Sequence, residues 1–71
     1  GLPRTQHVRL EIFSVTGALV RTLFDGTSSA GWNEIGWDGK DNRGESVAPG
    51  TYFCKLTAQD GTRVVRAVIV R

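Results

Sequence analysis

Asp38, Asp41, Asn42 and Glu45 put four oxygen-bearing side chains within eight residues. Calcium takes six to eight oxygens, so this cluster is a candidate cation loop if backbone carbonyls and water complete the shell. Its spacing is not that of an EF-hand, and Lys40 and Arg43 bring opposing charge into the same stretch. The competing reading is structural: Asp38 and Asp41 accept backbone hydrogen bonds and hold a crossover in shape. Turn chemistry favours that second reading. Trp32 and Trp37 are candidates for a sugar-stacking platform, which needs an exposed ring flanked by polar donors. Their odd separation sends them to opposite faces of a regular strand, so only Trp32, with Asn33 and Glu34 beside it, suits the role. Packing or a sheet edge is the plainer use of either ring.

His7 and Cys54 are the only residues of their kinds. Strand pairing could bring them together, but a reactive thiolate needs a cation or a helix terminus to depress its pKa. The chain builds no such setting, and Cys54 alternates with apolar positions as a core thiol would. His7 lacks the neighbours of a zinc site. With no glycine-rich loop leading into a helix, neither catalysis nor a cofactor is expected.

The 71 residues form one domain at most, and a chain this short buries roughly 60% of its unfolded surface. A metal, an adjacent domain or self-association would each add stability; a single cysteine provides no internal disulfide. The net charge of +2 is mild and the cations are scattered, which argues against nucleic acid as a partner. No apolar run approaches the ~20 residues of a membrane span. Gly1 to Leu10 has no apolar h-region, so a signal peptide is not expected within it. A leader removed earlier, or an address at the other end, stays open.

Strict alternation positions these residues. Val8, Leu10 and Ile12 share one face of an extended segment, with Arg9 and Glu11 on the other. A short loop around Gly17 leads to a second strand, Leu19 to Phe24, as a hairpin. Asp25 to Gly31 reads as a loop by composition. Trp32 to Trp37 is expected as a third strand, with Ile35 and Trp37 inward. A polar crossover follows, with a weak extended piece at Ser46 to Ala48. Pro49-Gly50 turns into the clearest strand, Thr51 to Ala58, with Tyr52, Cys54 and Leu56 on one side. Asp60-Gly61 marks a hairpin into a last strand, Arg63 to Val70. There Val64 and Val68 share one side, while Val65, Ala67 and Ile69 take the other. Apolar residues on both faces imply cover on both sides, or a partner. Five firm strands and one weak one make the chain all-β, most simply a two-sheet sandwich. Leu2-Pro3 resembles the exit of an earlier strand, since proline stops a ladder. A sandwich lacking that first strand would keep an open edge for something else to cover.

The motifs VRLEIFSVTG (Val8 to Gly17), LVRTL (Leu19 to Leu23), Ala30-Gly31, WDGKDNRGESVAPGTYF (Trp37 to Phe53) and RAVIVR (Arg66 to Arg71) resemble a known family. They are similar to the immunoglobulin-like domain of the flagellar hook-capping protein and to the related C-terminal sorting domains of type IX secretion cargo. The resemblance implies an immunoglobulin-like β-sandwich of about five to seven antiparallel strands. It also implies a module at the C-terminus of a larger secreted or cell-surface bacterial protein, read by secretion or attachment machinery. Trp37, Asp38, Gly39, Asp41, Gly44, Gly50 and Tyr52 fall on the crossover motif as structural residues. Arg66 and Arg71 fall on the basic last strand that a partner would read. Their plain alternative is gatekeeper charge against edge pairing. Two departures stand out: the family's usual Asn-Pro-rich start and first strand are not seen, and Cys54 replaces a larger core residue. Self-assembly into an oligomer or filament by strand complementation is a second expectation. A carbohydrate-binding accessory domain using Trp32 is a third.

Overall fold

The computed structural model describes residues 6–28 and 36–70. Four strands, β1 (Gln6–Ser14), β2 (Leu19–Ser28), β3 (Gly50–Ala58) and β4 (Gly61–Ile69), form one antiparallel sheet in the order β2-β1-β3-β4. The all-β expectation holds. The two-sheet sandwich of about five to seven strands reduces, among the described residues, to this one open sheet. Residues 32–35 of the expected third strand lie outside the described set, while Gly36 and Trp37 are irregular. Ser46 makes a single bridge with Lys40, so among the described residues the weak extended piece closes a loop and joins no sheet.

Both hairpins form where turn chemistry placed them. Gly17, at φ 86°, donates its N–H to the Ser14 carbonyl at 3.0 Å, and Ser14 Oγ accepts from Ala18 N–H at 3.2 Å. β2 runs on to Ser28 and overrides the loop expected from Asp25 onward. Pairing explains the override: Arg9 faces Asp25, Val8 faces Gly26 and His7 faces Thr27. Asp25 is then satisfied in place, accepting from His7 Nε2 at 2.7 Å with Arg9 Nε at 3.7 Å.

The face carrying Val8, Leu10, Ile12, Tyr52, Cys54 and Leu56 is the inner one, as alternation requires. Ile12 and Val8 are almost fully buried there, and Tyr52 is buried beside them. Gln6 is also buried, its Oε1 accepting from Gln59 N–H at 2.9 Å. β4 carries its apolar residues on the two faces expected, Val64 and Val68 on one, Val65, Ala67 and Ile69 on the other. Val64, Val65 and Val68 nevertheless remain exposed.

Candidate functional site

The segment from Gly36 to Ala48 lies against the inner face and the outer edge of β2. Its local shape follows from its aspartates. Asp38 Oδ1 accepts from Lys40 N–H at 3.0 Å, and Asp41 Oδ1 accepts from Arg43 and Glu45 N–H at 2.9 and 3.0 Å. Gly39 and Gly44 supply the left-handed backbone that these turns need, at φ 75° and 85°. The small loop is closed by Asp41 N–H on the Glu45 carbonyl and Val47 N–H on the Gly39 carbonyl, both at 2.9 Å.

Four anchors tie this loop to the sheet. Trp37 meets Tyr52 edge-on, with ring centroids 5.3 Å apart, and donates Nε1–H to the Lys40 carbonyl at 3.0 Å. The Tyr52 hydroxyl donates to the Ala48 carbonyl. Asn42 caps the β2 edge from both of its groups: Oδ1 accepts from Thr22 N–H at 2.9 Å, and its own N–H donates to the Val20 carbonyl at 3.1 Å. Arg21 completes the attachment, donating Nη1–H to Asp38 Oδ1 at 3.1 Å and to the Lys40 carbonyl at 3.0 Å.

Arg21, Val20 and Thr22 are parts of this arrangement that sequence reasoning missed. β1 and β2 slip by one residue between Leu10 and Glu11 and again between Ile12 and Phe13. The first slip pairs Arg21 with Ile12, turning a side chain that regular alternation would send outward toward the inner face. No feature of LVRTL alone announces a bulge.

The other candidates are placed as follows. Trp37, Asp38, Gly39, Asp41, Gly44, Gly50 and Tyr52 come together in the crossover and the strand start that follows it. Of the cation-loop candidates, Asp38 and Asp41 turn an oxygen to backbone N–H groups and Asn42 turns its own to β2. Among the described residues no three His, Cys, Asp or Glu side chains gather as a metal site would require. His7 and Cys54 are not neighbours: His7 lies on the outer face with Asp25, whereas Cys54 pairs with Ile12 on the inner face. Burial pushes the Cys54 thiol above its ordinary pKa of 9.0, the reverse of what a nucleophile needs. Arg66 is exposed on the outer face opposite Phe53. Trp32 and Arg71 lie outside the described residues.

Among those residues no helix is long and apolar enough to cross a membrane. A family model described as the FlgD Ig-like domain matches residues 3–62. No curated protein and no solved structure matches the chain.

Proposed function

The chain belongs to the FlgD Ig-like domain family, a family of non-catalytic β modules, and from that premise we propose that it is a sorting or anchoring module of a secreted or cell-surface bacterial protein. In this role it stands at the C-terminal end of its parent, an immunoglobulin-like unit that secretion or attachment machinery holds by its last strand. One observation supports the reading most: Asp38, Asp41 and Asn42 are spent on shaping the crossover and holding it to β2, while β4 presents Arg66 between two exposed valines. The module fused to a secreted reporter, expressed in a bacterium with type IX export, should direct the reporter to the cell surface. Equal surface display of the reporter without the module would end the proposal.

The open sheet favours a second reading, self-assembly, because β4 leaves one edge and three valines uncovered among the described residues. Sedimentation of the chain decides it: a concentration-independent monomer excludes assembly.

A further inference from the structure

The two edges of the sheet are built differently. β2 is broken by two register slips and partly capped by Asn42, so an incoming strand meets an irregular, occupied edge. β4 pairs with β3 without a slip from Gly50 opposite Ile69 to Ala58 opposite Gly61. Its far side is a regular row of backbone donors and acceptors that no described segment pairs. Val64 and Val68 on its outer face and Val65 on its inner face are 56%, 57% and 58% exposed, so a strand laid beside β4 would cover apolar surface on both faces. The charge of this strand is one-sided: Gly61 to Val70 contains Arg63 and Arg66 and no acid. Neither arginine has an ion-pair partner among the described residues, whereas Arg9 and Arg21 each have one. Register places Arg63 on the inner face, opposite Leu56, and Arg66 on the outer face, opposite Phe53.

We infer that the free edge of β4 accepts an extended acidic segment of a partner protein as a fifth strand. Main-chain hydrogen bonds supply the docking and alternate side chains supply the selection. The matching segment carries two acidic residues three apart, so that one faces Arg63 on the inner side and the other Arg66 on the outer side. Apolar residues stand between them, against Val64 and Val65. Opposite charges and paired β-branched residues across strands are both favourable.

A second copy can offer this edge backbone and valines but not the matching pair of acids. β4 against β4 sets no acid opposite either arginine in any register, because the strand has none. The only acids three apart in the chain are Asp38 and Asp41, and both are engaged within the crossover. The inference deepens the module reading, on which it rests for the display of β4, by naming the chemistry of the partner.

The probe is a short capped peptide with Glu-Val-Val-Glu at its centre and threonines on either side. Its controls are the same peptide with lysines for glutamates and the glutamate peptide N-methylated on alternate residues. Anisotropy of the labelled peptides and amide exchange of the protein are read together. The glutamate peptide should bind and slow exchange along β4, and neither control should bind. Arg63→Glu with Arg66→Glu should weaken the glutamate peptide by roughly tenfold and admit the lysine peptide. Both positions are exposed, so this double variant should fold, and its circular dichroism spectrum checks that it does. Absence of binding, equal binding of both charge types, or binding without protection of β4 overturns the inference. So does a dimer whose β4 amides are already protected without peptide. Normal export alongside failed peptide binding removes this inference alone; normal peptide binding alongside failed export removes the sorting reading alone.

Discussion

Asp41 shows how much one side chain carries in this molecule. Its Oδ1 receives two N–H groups of its own loop, and its backbone closes that loop against Glu45. Asp41→Ala leaves two donors without an acceptor and should cost about 1–2 kcal/mol in urea unfolding, with Asp41→Asn losing less. Cys54 argues in the opposite direction, toward inertness. Its thiol is held in the neutral form by burial, so iodoacetamide should modify the folded protein more slowly than the unfolded one at the same pH. The linkage has a definite sign. The unfolded thiol ionises near its ordinary value of 9.0 and the folded one higher. The contribution of Cys54 is therefore complete below that value and declines as pH rises through it. Chemical denaturation across the alkaline range should show a steeper decline in the native protein than in a Cys54→Ala variant.

At the scale of the strands, two glycines divide by backbone conformation. Gly17 has φ 86°, and Gly17→Ala should destabilise the β1–β2 hairpin by about 1 kcal/mol. Gly26 lies within β2 without a positive φ, and among the described residues an added Cβ would meet only the Phe24 ring, at an ordinary 3.6 Å. Gly26→Ala should therefore stabilise the protein by about 0.4–1 kcal/mol, mostly by restricting the unfolded chain. Thermal unfolding of the two variants should move in opposite directions. The crossover depends on β2 through Arg21 and Asn42 together. Arg21→Ala should free Asp38 and the Lys40 carbonyl from the sheet, and trypsin should then cut after Lys40 and Arg43 faster than in the native chain. An unchanged digestion rate would show that Asn42 and Trp37 hold the loop without Arg21.

At the scale of the molecule, burial among the described residues is concentrated on very few side chains. Ile12 is 1% exposed and Val8 5%, whereas much of β4 is open to solvent. A domain of this size has a small margin of stability. Ile12→Ala, which opens a cavity at the best-packed point, should cost about 2–5 kcal/mol and leave little folded protein at 25 °C. Circular dichroism reads that loss directly, and Ile12→Val should retain the fold. The same imbalance is what the proposal for β4 rests on: its exposed valines contribute little to the fold and would gain from being covered.

Alternation and turn residues determined a large part of this from the sequence alone. Val8, Leu10 and Ile12 share a face because strand geometry has a period of two, and Gly17 and Asp60-Gly61 mark the hairpins because few residues tolerate those turns. The WDGKD stretch was legible as an Asp-held crossover for the same local reason, whereas the two-faced apolar pattern of β4 implied cover on both sides or a partner, and among the described residues its valines stand exposed. Nothing in the residues themselves revealed that β2 would run through Asp25 and Gly26, since only pairing with His7, Val8 and Arg9 overrides their turn chemistry. Nor could local pattern reveal the bulge that turns Arg21 toward Asp38. These depend on register between segments far apart in the chain, and register is set when whole faces seek burial together.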